Sequence, residues 1–302
     1  TNQSDQKCRQ ALHQIRRQHP NSLIVATGCM VNHRKNELLE KKTVDYAIDN
    51  ERKYALFTII NNHFKGESVD PEGLDIDLFG YQPAFDTFHT RSLIKIHDGC
   101  NNFCSYCIVP YVRGRERSRD SEQIISECAE LVASGVKEIT LLGQNVNSYK
   151  GKYNFAGLLS KIAELDGDFI IRFMTSHPKD VSDELISVMK QYCPKIAPYF
   201  HLPLQSGSNR ILKYMNRTYD REKYLSLIDY AYEIMPELSI TSDVIVGFPG
   251  ETEEDFEDTL KMIDTVKYDM VFSFIYSPRV GTPAAEMENQ IPHSVSSERM
   301  NR

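Results

Sequence analysis

Three of the seven cysteines, Cys100, Cys104 and Cys107, lie within eight residues of one another. Thiolates are soft ligands that suit zinc or iron–sulfur clusters. Structural zinc usually takes four ligands, and this segment offers three, so His97 would have to complete such a site. A [4Fe–4S] cube held by three thiolates instead leaves one iron without a protein ligand, open to a substrate or cofactor. Three unrelated buried cysteines are the remaining reading. The odd number and tight clustering do not describe a disulfide framework, and they point to a metal site in a reducing compartment. Cys128, inside a helical pattern, and Cys193, before Pro194, read as structural.

Other segments carry polar chemistry. Gly143 lets the backbone turn close to a ligand, and Gln144 and Asn145 bring neutral donors and acceptors beside it. Arg113, Arg115, Arg117 and Arg119 recur at every second residue. In an extended segment they would point one way, as a basic stripe for RNA phosphates. Internal ion pairs with Glu116 and Asp120 are the alternative.

These residues need a frame. Leu93–His97, Glu138–Leu142, Phe169–Met174, Pro198–Leu202, Ser239–Val246 and Met270–Tyr276 read as strands. Helical patterns over Ser121–Ser134, Phe155–Leu165, Ser182–Gln191, Arg221–Met235 and Thr252–Thr265 separate most of them. Asp120 or Ser118 is the candidate N-cap of the first of these helices, and Thr252 with Asp255 forms a capping-box signature. Six strands alternating with helices predict a parallel sheet closed or partly closed into a barrel, with the chemistry at the C-terminal strand ends. Upstream, Ser4–Gln18 reads as a helix, Ser22–Ala26 and Val44–Ile48 as strands, and Lys53–Ile60 as the start of a helix. That is a small α/β layer, followed by an aperiodic linker over 66–90.

Cys-x3-Cys-x2-Cys with Tyr106 before the third cysteine, on a loop after the first barrel strand, resembles the signature of the radical SAM superfamily. The stretch from Asp98 to Pro110, continued by Tyr111–Arg119, resembles the methylthiotransferases within it. So do Leu141–Tyr149, His201–Ser208 and Asp243–Glu251, in family order and each at a strand end. The resemblance spans Arg91 to Ala285. It implies an α/β fold, a radical SAM partial (β/α)6 TIM-type barrel preceded by a small α/β domain. It implies a [4Fe–4S] cluster on Cys100, Cys104 and Cys107 whose open iron chelates S-adenosylmethionine (SAM). Tyr106 would then pack on the adenine, and Gly143, Gln144 and Asn145 would hold the SAM amino group. Gln205 and Ser206 would meet ribose hydroxyls or the carboxylate, Arg217 the carboxylate, and the Gly247 loop the adenine. Cys29 matches one of three ligands of a second cluster. The other two would lie upstream of Thr1, so an intact second cluster is expected only in the full-length protein.

The implied activity adds a methylthio group to C2 of N6-isopentenyladenosine next to the anticodon of tRNA. One SAM gives up its methyl group and another yields a 5′-deoxyadenosyl radical. Gly143–Tyr149 and Pro110–Glu116 look most like that branch, whereas Asp5–Gln10 resembles the branch acting on N6-threonylcarbamoyladenosine. Another radical SAM enzyme needing a single cluster, and a non-enzymatic iron–sulfur or zinc RNA-binding module, are the other readings. The expected organisation is an incomplete N-terminal methylthiotransferase domain and linker over 1–85 and a radical SAM barrel over 86–290. Residues 291–302 would begin the link to an absent C-terminal RNA-binding domain. The expected partners are the tRNA anticodon stem-loop and a reductant such as flavodoxin or ferredoxin.

The formal net charge of −7 excludes a protein that simply coats polyanions, though not one with a local basic face. The longest mostly apolar stretch is about ten residues, against roughly 20 for a membrane helix, so no membrane partner is expected. The polar N-terminus carries no signal-peptide core, and a cytoplasmic location is expected.

Overall fold

The computed structural model describes residues 2–67, 69–74, 79, 84–85 and 90–302. Much of the expected linker over 66–90 therefore lies outside the described residues. The chain divides into two units, one of Thr1–Gln82 with Ile108–Gly114 and one of Pro83–Cys107 with Arg115–Arg302.

The first unit runs α1 (Asn2–Gln18), β1 (Val25–Thr27), α2 (Cys29–Glu40), β2 (Tyr46–Ile48) and α3 (Leu56–Phe64). The two strands pair in parallel, Ala26 opposite Ala47. Ile24, Ala26, Val31, Leu38, Val44 and Ala47 form its core. Gly28, with φ of 115°, turns the chain from β1 into α2, a backbone angle at which a side chain would be strained. The helix Val109–Arg113, which sequence order makes α4, belongs to this unit: Asn32 Nδ2 donates to the Val112 carbonyl at 2.8 Å.

The second unit begins with β3 (Ala84–Phe85), β4 (Arg91–Lys95) and β5 (His97–Asp98), and resumes after α4 with β6 (Arg117–Ser118) and α5 (Ser121–Ala133). It continues through β7 (Glu138–Leu142), α6 (Phe155–Ala163), β8 (Ile170–Phe173), α7 (Asp183–Gln191), β9 (Tyr199–His201), α8 (Asn209–Tyr214) and α9 (Arg221–Ile234). The last elements are β10 (Ser239–Val246), α10 (Glu253–Val266), β11 (Met270–Ile275), α11 (Pro283–Glu286) and α12 (His293–Asn301).

β4, β7 and β8 pair in parallel, with β3 antiparallel on the outer side of β4. β9, β10 and β11 form a second parallel set. A parallel bridge between Ile171 and Ile196 links the two arcs. The result is the partial TIM-type barrel that the βα alternation predicts.

Period-2 alternation explains the core. Ile94, Ile139, Leu141, Ile171, Phe173, Phe200 and Ile240 point outward into one cluster with Ile124, Leu158, Leu159, Met189 and Ile228 from the surrounding helices. Val244, Val246, Val271 and Ile275 do the same beneath Phe256 and Leu260 of α10 and Met300 of α12. Helix starts follow the caps: Asp120 accepts from the Gln123 amide, and Thr252 and Asp255 complete a reciprocal capping box.

Candidate radical SAM site

The cysteine segment leaves β5 through Gly99, whose φ of 76° suits glycine. Its shape is fixed from three sides. Gln144 Oε1 accepts from the Gly99 amide at 2.8 Å. The Asn101 amide and side chain meet Glu116. Asn216 Nδ2 donates to the carbonyls of Asn102 and Phe103, while the Ser105 amide and hydroxyl donate to Met215 and Tyr214. The segment after β9 therefore clamps the loop after β4.

Cys100 and Cys104 are buried, Cys107 is half-buried, and none of the three is in a disulfide. Burial, reinforced by the charges of Cys104 and Cys107, pushes the Cys100 thiol up to about 11. Metal ligation requires thiolates, so a cationic group is what would bring these sulfurs together in charged form. No group of three His, Cys, Asp or Glu side chains among the described residues is compact enough for a single metal ion. His97 itself is fully buried, both ring nitrogens lack a hydrogen-bond partner, and burial lowers its pKa, so it stays neutral.

Gly143 earns its place by proximity, since a Cβ there would stand 2.9 Å from the Cβ of His97. Asn145 Nδ2 donates to Asp180 at 2.7 Å, while its buried Oδ1 has no partner. Ser176 Oγ and Asn102 Oδ1 are likewise buried and unpartnered. An unsatisfied buried polar atom costs about 1–3 kcal/mol. Several acceptors at the C-terminal strand ends suit a ligand bearing an ammonium group. Tyr106 packs beside Ile211, Met215, Phe248 and Ala284, which are themselves fully buried and fix its ring.

Several expected site residues take partners within the chain. Arg217 is half-buried against the cysteine loop. Its guanidinium donates to Cys104 Sγ at 3.4 Å, to the Pro203 carbonyl and to Tyr219. Burial opposes its charge, but Tyr219, Tyr106 and Cys104 hold it firmly protonated. Ser206 is wholly buried and turned toward α10, its hydroxyl bonded to Thr259 and the Ser208 amide. The Gly247 amide, expected near adenine, donates to Glu251 Oε2 at 2.7 Å. The alternating arginines do not form a stripe. Arg113 ends a helix, Arg115 lies over the Phe103 ring at 4.5 Å, and Arg119 is ion-paired with Glu127, both largely shielded.

Gln205, at φ 70°, is buried and spends its backbone on Asp243 and Ile245. In the first unit Cys29 is exposed, with Asn50 Nδ2 3.5 Å from its sulfur. Cys128 is sealed in the helical layer, where burial raises its thiol to about 12. His177 is buried, burial drives its pKa down to about 2, and its ring abuts Tyr219.

Sequence reasoning missed the inward faces of the last three strands. Thr241 Oγ1 bonds to Tyr199 and His201, and His201 Nε2 lies 3.5 Å from Asp243. Along β11, Met270, Phe272 and Phe274 stand 53%, 43% and 52% exposed on the same side. The signal was present in Met-Val-Phe-Ser-Phe-Ile, which is apolar on both faces of an expected barrel strand.

The radical SAM superfamily profile matches residues 94–263. A tRNA-2-methylthio-N(6)-dimethylallyladenosine synthase from Clostridium perfringens is 48% identical over 96% of this chain and 67% of its own length. The Clostridioides difficile protein of the same name is 44% identical over 96% of this chain and 63% of its own length. This chain thus spans about two thirds of such relatives. Among solved structures, the radical S-adenosylmethionine methyltransferase TsrM from Kitasatospora setae, with cobalamin and a [4Fe-4S] cluster bound, superposes with a TM-score of 0.73. It is 14% identical, over 93% of this chain and 62% of that one. Coproporphyrinogen III oxidase from Escherichia coli gives 0.52 at 18% identity, over 69% and 50%. At those identities the likeness is one of fold, while the close relatives carry the family. The chain belongs to the radical SAM superfamily and, within it, to the family of the tRNA-2-methylthio-N(6)-dimethylallyladenosine synthases.

Proposed function

We propose that this chain contributes the catalytic barrel of a methylthiotransferase that acts at C2 of N6-isopentenyladenosine next to the anticodon of tRNA. The observation that carries the proposal is the three-thiol loop beside unpartnered buried acceptors at the strand ends. Cys100, Cys104 and Cys107 would hold three corners of a [4Fe–4S] cluster and leave the fourth for SAM. When bound, these groups supply a carbon-centred radical able to take hydrogen from an unactivated aromatic C–H, which no side-chain base could remove.

The chain's own residues do the holding. Gln144 fixes the start of the cysteine loop through the Gly99 amide. Asn145 Oδ1 and Ser176 Oγ would accept from the ammonium group of SAM when it is bound, and Tyr106 would lie beside its adenine. Arg217 stands against Cys104 as a positioning residue. Gln205 and the Gly247 turn shape the rim through their backbones.

Cys29 would contribute one ligand of a second cluster in a methylthiotransferase domain over residues 1–85, and residues 86–290 would make up the barrel, against which α12 packs. Of the four arginines, Arg113, Arg115 and Arg117 remain candidates for phosphate contact, and Arg119 serves the fold. A low-potential flavodoxin or ferredoxin donates the electron, and the reaction runs in the cytoplasm. No helix among the described residues is long and apolar enough to cross a membrane.

Nucleoside mass spectrometry of tRNA from cells lacking the full-length gene tests the proposal. The 2-methylthio-N6-isopentenyladenosine signal should vanish while its unthiolated precursor accumulates. Loss of the threonylcarbamoyl methylthio product instead would move the enzyme to the sister branch. Persistence of both nucleosides, in cells with no second such gene, would exclude tRNA as substrate.

A further inference from the structure

The lumen of the barrel has two unlike walls. On the first, the charged inward residues of β4, β7 and β8 pair off, Arg91 and Arg172 with Glu138 and Lys95 with Asp98 of β5, and Leu93 and Ile170 stand 43% and 39% exposed among them. On the second, the inward residues of β11 are large, apolar and uncovered. Val271 and Ile275 of that strand lie beneath α10 and α12, so Met270, Phe272 and Phe274 face the other way. Register sets Thr241 opposite Met270, Asp243 opposite Phe272 and Ile245 opposite Phe274. The His201 ring meets Phe272 edge-on at 6.1 Å. Ile245 packs in the same cluster as Tyr106 of the cysteine loop. The strip thus begins just beneath that loop and runs down the lumen for about 13 Å, four residues of parallel strand.

We infer that this wall recognises the target base. Phe272, Phe274 and Met270 receive its dimethylallyl branch, and the His201, Thr241 and Asp243 cluster reads the polar edge of the purine. The inference rests on the substrate reading above. A run of exposed large apolar side chains on one face needs an apolar occupant. Beside it, both ring nitrogens of His201 are engaged, Nδ1 with Thr241 and Nε2 facing Asp243, which leaves the part-exposed Asp243 carboxylate as the acceptor open to a neutral heterocycle. A neutral purine bearing a short branched hydrocarbon matches both halves. A threonylcarbamoyl branch does not, because its carboxylate would meet Asp243 and lose water against phenyl rings.

Full-length protein with reconstituted clusters provides the test. Anticodon stem-loop RNAs carrying dimethylallyladenosine, plain adenosine or threonylcarbamoyladenosine at the target position are titrated anaerobically. The wild type should bind the dimethylallyl RNA more tightly than the plain one. In the Phe272→Ala, Phe274→Ala double variant that preference should fall about tenfold, as expected for losing the burial of roughly two methylene groups. Affinity for the plain RNA should hold, and a Phe272→Leu, Phe274→Leu variant should restore most of the preference. Asp243→Asn should narrow the gap to the threonylcarbamoyl RNA. If the wild type shows no preference, the substrate reading fails. If the wild type discriminates and the alanine variant discriminates equally, the wall assignment fails and the substrate reading stands. Equal loss of both RNAs in the leucine variant would make the strip structural and overturn the assignment.

Discussion

The six parallel strands have two faces that obey different rules. Outward residues are aliphatic or aromatic and sealed beneath helices, as Ile139, Ile171, Phe173 and Phe200 illustrate. Inward residues at the same strands mix charged and polar side chains with aliphatic and aromatic ones, and several stay open. The outer face answers to packing density, where any change of volume is felt. The inner face answers to a ligand, so its apolar residues can be exposed without belonging to the core.

Breaking the outer face should have the largest effect. Phe173 is 2% exposed and stacks edge-on with Phe155 and Phe200. Phe173→Ala should cost about 3–5 kcal/mol in denaturant unfolding, the usual range for a buried aromatic truncation. A cost below about 1 kcal/mol would mean that the two faces are not distinct.

A middle-sized effect belongs to the polar seam that joins the loop after β9 to α10. Burial pushes the Asp255 carboxyl up, but Arg210, Ser208 and Thr252 outweigh it and hold it at about 2 against an ordinary 3.8. A depressed carboxylate stabilises the fold above its unfolded pKa. That contribution, about 2 kcal/mol at neutral pH, is lost as pH falls from about 4 to about 2. Asp255→Asn should therefore lower stability at pH 7 and flatten its decline across that acid window. An unchanged acid slope would assign the seam no electrostatic role.

The smallest effect sharpens the contrast. Phe274→Ala, on the open wall, should shift unfolding stability by less than about 0.5 kcal/mol, in line with an exposed residue. A loss as large as that of Phe173→Ala would make β11 part of the core.

What could be read from the chain alone follows the same division. β7 and β10 begin and end at Glu138, Leu142, Ser239 and Val246 as the alternation predicts, because those signals are local. The cysteine loop and the Thr252 capping box are local too. Two of the surprises are long-range. Nothing near Ser206 announces that Thr259 takes its hydroxyl, and nothing near Gly247 announces Glu251 held by an arginine 48 residues further on. The arginine alternation misled because Pro110 supports a short helix where an extended segment was assumed.

That distant arginine has a mechanical consequence. Arg299 of α12 binds the Glu251 carboxylate at 2.7 Å, Glu251 binds the Gly247 amide, and a Cβ on Gly247 would strike Ser296 of the same helix. Both charged side chains are almost wholly shielded from water. Separating them would strand a buried carboxylate, at a cost of about 3–5 kcal/mol. The turn after β10 and the helix α12 therefore move as one piece. A pull on that helix is felt at the mouth of the barrel before any other bond of the loop gives way.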